Sequence, residues 1–141
     1  MNYLVLLGRI FYSLIFLLSS FNHFSSSTIG YAESKGVPMA SILVPVAGIM
    51  ILIGSVSIIL GYKAKWGAWL IVAFLIPVTF MMHNFWAITD PMMRQTQHIM
   101  FMKNVSMLGA AFIIAYLGAG PLSVDSRLPT IKTVPVKFKS D

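Results

Sequence analysis

Four stretches of the chain are almost unbroken apolar sequence, at residues 3–24, 40–61, 66–83 and 99–118, and polar residues concentrate between and after them. Each stretch approaches the ~20 residues that an α-helix needs to cross the hydrocarbon core of a bilayer. Pro45 and Pro77 fall inside the second and third, where neighbouring helices can satisfy the backbone groups that a proline frees. The separators differ in kind. Residues 62–65 form a tight basic turn, so the second and third stretches make an antiparallel hairpin. Residues 25–39 and 84–98 are longer loops; the second carries Phe85 and Trp86 as interfacial anchors and Asp90-Pro91 as a turn or helix-start signal. The pattern predicts an all-α, integral membrane four-helix bundle over residues 1–125, followed by a basic tail over 126–141. Pro129 and Pro135 argue against a strand in that tail. The first stretch is too long for a typical signal-peptide core and is read as a retained helix.

Helical spacing assigns faces. In the first stretch Gly8, Tyr12, Ile15, Ser19 and Asn22 form one row, and Arg9, Ser13, Phe16, Ser20 and His23 the next. Together they make a small and polar face that belongs inside a bundle, while Ile10, Leu14, Leu17, Leu18 and Phe21 suit lipid. Ala47, Gly48, Gly54, Ser55, Ser57 and Gly61 give the second stretch a surface for close helix contact. In the fourth, Asn104, Leu108, Ala111, Ala115 and Gly118 share a face that should meet a neighbouring helix.

Composition agrees with this pattern and adds an orientation. Charged residues are only 10% of the chain, against about 25% in a soluble domain, too few to cover a water-exposed surface. The net charge of +6 is dispersed and accompanies no nucleic-acid reader motif, so it speaks for topology and anionic headgroups rather than nucleic acid. Lys63, Lys65, Arg127, Lys132, Lys137 and Lys139 fall on one side of the predicted membrane, Lys35 and Arg94 on the other. The positive-inside rule then places both termini in the cytoplasm and both long loops outside. With no cysteines, disulfides, thiolate metal sites and cysteine redox chemistry are excluded.

On this topology Asn22, His23, His83, Asn84, Lys103 and Asn104 all lie at the outer ends of the helices, a three-helix polar mouth and the candidate ligand site. As a histidine, His83 could carry a proton or bond a quinone carbonyl. Its bland reading is a helix-end group satisfied by its neighbours. Lys103 could hold an anionic or carbonyl-bearing ligand, or snorkel to lipid phosphate. Asn104 reads as an interhelical hydrogen-bonding group. Arg9, about a turn and a half inside the cytoplasmic face, needs a partner, and Asp125 on the same side is expected to supply it as a structural ion pair. His23, His83 and His98 do not make a convincing metal or haem set, and no metal is expected. Zinc, nucleotide-loop and catalytic-triad signatures are absent from the sequence.

Several short motifs in order resemble one family: Gly8-Arg9, Phe21-Asn22-His23-Phe24, Gly36-Val37-Pro38, Gly54 and Gly61, His83-Asn84-Phe85, Lys103-Asn104 with Met107-Leu108-Gly109, and the exit run from Gly118 to Asp125. Together they resemble the DoxX family of small four-helix membrane proteins, over about residues 4–125. The resemblance implies a bacterial cytoplasmic-membrane protein. Members are linked to quinone-dependent sulfur oxidation and oxidative-stress assemblies, and a distant eukaryotic branch is similar to the surfeit-locus cargo receptor. Many relatives carry an acidic residue in the second helix where this chain reads Met50-Ile51-Leu52-Ile53, which removes support for a proton or cation role there. The first expectation is an accessory membrane protein that binds a lipid-like ligand or a partner protein at the outer mouth, in a redox or stress-linked assembly. Two other readings stand beside it: a quinone-interacting oxidoreductase subunit using His83 and Lys103, and a receptor for exported proteins. No resident cofactor is evident, and the oligomeric state is not legible.

Overall fold

Each apolar stretch forms the helix its length predicts, and two polar separators add helix of their own. The structure, a computed structural model, describes residues 2–128. In chain order, α1 spans Asn2–Asn22, α2 Ser26–Ser34, α3 Ala40–Leu60, α4 Ala64–Met82 and α5 Pro91–Leu117, with a 3-10 turn over Phe85–Ala87 between the last two. No strand occurs among the described residues. Lys132, Lys137, Lys139 and the rest of the tail from Pro129 lie outside them. Four helices, α1, α3, α4 and α5, are long and apolar enough to cross a membrane.

Both differences from the expected elements have local causes. Residues 25–39, expected as a loop, contain α2 because Ser25 caps it: the Thr28 amide donates to Ser25 Oγ at 3.3 Å. Ala32 of α2 is buried with Ala40 and Val44 of α3, and Ile29, Val37 and Met82 pack on that cluster. At the other separator, α5 starts at Pro91 instead of near residue 99. Asp90 is its N-cap, accepting from the Met93 amide at 2.7 Å, and Pro91 occupies the first turn. Hydropathy reports only the lipid-level part of a helix. At about 1.5 Å per residue, the 27 residues of α5 exceed the ~30 Å hydrocarbon core, so its polar first turns extend past the lipid.

The bundle is ordered α1–α3–α4–α5, each long helix packing on its sequence neighbour, and the contacts make successive helices antiparallel. α1 buries Arg9, Ser13, Phe16 and Ser20, one of the two rows read from the sequence; Gly8, Ile15 and Asn22 of the other row are exposed. Phe16, Ile51, Ile58, Ala68, Ile71, Val72, Leu75, Ala111 and Ala115 form the shared core. The large side chains turned outward, such as Phe11, Leu18, Ile42, Ile53, Ile113 and Leu117, are apolar, the surface a lipid solvent selects. Lipid gives apolar side chains no reason to leave it, so helix association depends on close packing. Two contacts supply it. A Cβ on Gly48 would lie 2.7 Å from His23 Cβ and 3.2 Å from the Ser20 carbonyl, which marks the α1–α3 crossing. Gly54 and Gly67 face each other across α3 and α4, and a Cβ on either would fall within 2.9 Å of the other's carbonyl oxygen.

Candidate functional site

The chain's polar groups gather at the two ends of the bundle, which are built differently. At the end bearing the tight turn, Gly61 closes α3 with φ +67°. The exit segment, residues 118–125, folds back over that turn. Val124 donates its amide to Leu60 O at 3.2 Å, and Asp125 to Gly61 O at 2.8 Å. The Asp125 carboxylate accepts the Lys63 amide at 2.8 Å and the Ala64 amide at 3.2 Å. It thus caps α4, whose own N-cap residue, Lys63, makes no side-chain cap bond. Within the segment, Ser123 and Ser126 exchange amide-to-hydroxyl bonds of 3.3 and 3.1 Å.

Arg9 and Asp125, expected as an ion pair, attract each other by charge, and among the described residues no hydrogen bond joins them. Arg9 is buried, and its Nη2 donates to the Leu122 carbonyl at 2.7 Å, while Nε and Nη1 have no hydrogen-bond partner among the described residues. Both Asp125 oxygens serve the α4 amides. The first helix is still clasped to the exit segment, by the Arg9 side chain on the Leu122 carbonyl. Asp125→Ala should therefore destabilise the protein by about 2 kcal/mol, the loss of a charged cap serving two amides. Asp125→Asn, which keeps one acceptor, should cost about half as much. Thermal unfolding in detergent reads both, and an unchanged Tm in Asp125→Ala would remove the cap from the account.

At the opposite end, among the described residues no hydrogen bond joins any two of the six residues of the expected mouth. His83 Nδ1 bonds Gln97 Oε1 at 2.7 Å, tying the end of α4 to the early part of α5. Asn84 heads the 3-10 turn, its carbonyl accepting the Ala87 amide at 3.0 Å. Lys103 is exposed, with Nζ 3.3 Å from Met100 Sδ. Asn104 is buried on the inward face of α5 with Ala111 and Ala115, as its spacing predicts. Asn22 is exposed at the end of α1. Around the His83–Gln97 bond, Phe101 makes edge contacts with Phe80, Phe85 and Trp86 at 5.4–5.9 Å between centroids, an aromatic girdle of the kind found at membrane interfaces.

His23 belongs to a different place. Its Nδ1 bonds Ser19 O at 2.8 Å and its ring meets Phe74 edge-on at 5.6 Å. It lies on the wall of a cavity of about 280 Å³ between α2, α3 and α4, lined also by Thr28, Ala47, Ala73, Pro77 and Met81. Leu43, Val46 and Met81 on its rim are exposed, so the groove opens toward lipid. Since a carbonyl only accepts, His23 donates from Nδ1, and the neutral ring keeps Nε2 as an acceptor. Sequence reasoning singled out His23 but missed Thr28, Phe74 and Gln97. Contact between distant helices sets their roles, and no local spacing encodes it.

Four antiparallel membrane-spanning helices, a folded-back exit segment and a lipid-facing groove define a small multi-pass membrane protein. The chain belongs to the DoxX family, which it matches over residues 4–84. It is 30% identical over 126 residues to inner membrane protein YphA of Escherichia coli, covering 88% of this chain and 89% of that one. No solved structure matches the chain significantly. The protein is thus a multi-pass protein of the bacterial inner membrane.

Proposed function

We propose that this protein is a non-catalytic accessory component of the membrane that holds a lipid-like molecule in the groove beside His23. The groove itself carries the reading: an almost wholly apolar cavity of about 280 Å³ with His23 and Thr28 as its polar groups. Apolar walls with a few placed polar groups are the usual form of a small-molecule site. An isoprenoid or acyl chain fits the walls, and the Nε2 acceptor of His23 suits a head group bearing a hydroxyl. His83, Asn84, Lys103 and Asn104 then contribute to the outer end of the bundle, where a partner protein of a redox or stress-linked assembly would dock.

Protein purified from native membranes should retain a lipid-like molecule detectable by mass spectrometry of its solvent extract. Ala73→Trp, at an exposed position on the groove wall, should fill the space and lower that retention about tenfold while leaving the fold intact. Equal retention by both proteins would remove the groove from consideration. A quinone as the retained species would favour the oxidoreductase-subunit reading instead.

We also propose that the tight turn and both termini face the cytoplasm, from the distribution of Lys63, Lys65 and Arg127 against Lys35 and Arg94. The absence of cysteines gives labelling a clean background. Arg94→Cys should react with an impermeant maleimide at the outer face of the inner membrane, and Lys63→Cys only after that membrane is disrupted. The reverse pattern would invert the topology.

A further inference from the structure

Arg9 and Ser13 lie one turn apart on the inward face of α1, and both are almost wholly buried, at 3% and 0% exposure. Among the described residues Ser13 Oγ has no hydrogen-bond partner, and neither do Nε and Nη1 of Arg9. Of the five N–H donors of a guanidinium, the three on these two nitrogens are unused. Buried donors left without an acceptor are costly. Asp125 attracts Arg9 by charge, but its oxygens bond the α4 amides, so the unused guanidinium donors have no acceptor from it.

The surroundings favour an anion of external origin. Lys63, Lys65 and Arg127 are exposed and line the same end of the bundle, with the stem of Lys65 beside Gly118. Arg9 is only about 10 Å along the helix from the start of α1, within reach of the headgroup layer. The cover over Arg9 is the exit segment, held to the α3–α4 turn by the Val124 and Asp125 amides, so uncovering Arg9 means breaking those bonds. Gly118, Gly120 and Leu122 all have positive φ, at 83°, 67° and 56°, and the leucine, whose carbonyl holds Arg9, is in a region that side chains disfavour.

We infer that Arg9 and Ser13 form a binding site for a phosphate-class oxyanion, and that residues 118–125 form the latch over it. When the latch lifts, Leu122 O leaves the guanidinium, whose donors and the Ser13 hydroxyl then face the anion. Charge-assisted bonds to oxyanions are stronger than the single bond to a neutral carbonyl that they replace. The anion is either free phosphate or the phosphate of an anionic lipid headgroup.

The test uses the full chain in phosphatidylcholine nanodiscs, with inorganic phosphate titrated against chloride at matched ionic strength, and a parallel sample in phosphatidylglycerol nanodiscs. A saturable rise in Tm with phosphate, together with faster hydrogen exchange at the Val124 and Asp125 amides, identifies a free-anion site. The same two changes in phosphatidylglycerol, without a response to phosphate, identify the headgroup as ligand. Arg9→Gln should abolish the response. Ser13→Ala removes a hydroxyl with no partner in the closed form, so it should fold normally and weaken binding about tenfold, the equivalent of one hydrogen bond. Should Arg9→Gln fail to fold, Ser13→Ala alone decides. No response to either anion source, or a response unchanged in Ser13→Ala, would overturn the inference.

Discussion

Gly67→Val should separate α4 from α3 and destabilise the protein by about 3 kcal/mol, the upper part of the range for overpacking a close contact. A Cβ at this position would lie 2.6 Å from Ser57 Oγ and 2.8 Å from the Gly54 carbonyl oxygen. Ser57 cannot simply swing away, because its hydroxyl donates to Tyr62 O at 2.6 Å and helps close the tight turn. The Gly54 carbonyl belongs to a helix backbone and cannot move alone. The two helices must move apart, and Ile51, Ile58, Ile71 and Leu75, all fully buried between them, lose packing with them. In a lipid environment that packing is the main force holding the pair together. Gly109→Ala is the internal control: a Cβ there meets nothing within 4 Å, so the substitution should be neutral or stabilise by about 0.5 kcal/mol through the better helix propensity of alanine. Thermal unfolding in one detergent compares the two directly. Equal Tm values for Gly67→Val and the parent would refute the close crossing.

Gly61→Ala should cost about 3 kcal/mol as well, by a different route. Gly61 has φ +67°, where a side chain costs about 1–2 kcal/mol in backbone strain. The new Cβ would also run into the Arg9 guanidinium and the Ser123 side chain, adding about 1–2 kcal/mol of overpacking. The exit segment would be pushed off the α3–α4 turn, disturbing the bonds from Val124 and Asp125 to Leu60 O and Gly61 O. Limited proteolysis should then cut near residues 120–127 in Gly61→Ala and spare the parent. Gly61→Asn, which tolerates the left-handed backbone better, retains the collision and should remain destabilised. Full recovery in Gly61→Asn would place the whole effect in the backbone and clear Arg9 of any part in it.

Apolar length and small-residue rows were enough to read the four spanning helices, the hairpin at residues 62–65, the inward face of α5 and one of the two rows assigned to the inward face of α1. Arg9, Ser13, Phe16 and Ser20 are buried together because a period of 3.6 residues is a property of the helix itself. Asp90-Pro91 likewise carried its own start signal, though the helix it opens was read too short. The candidate site was less legible. His23 and His83 were correctly placed near helix ends, yet one lines a lipid-facing groove and the other bonds Gln97. Their grouping into one mouth rested on depth alone. Depth follows from position along a helix, whereas facing depends on how neighbouring helices are rotated and spaced.

The partner of Arg9 shows the same division. The sequence alone determined that an arginine this deep in an apolar helix needs a polar contact, and that Asp125 returns to the same end of the bundle. Only the tertiary structure decided that Asp125 caps α4 and that Leu122 supplies the contact to Arg9. Burial cost depends on the residue type and its depth, and both can be read along one helix. The choice of partner depends on which donors and acceptors the folded-back exit segment brings within hydrogen-bond distance, and that distance exists only once all four spanning helices have packed.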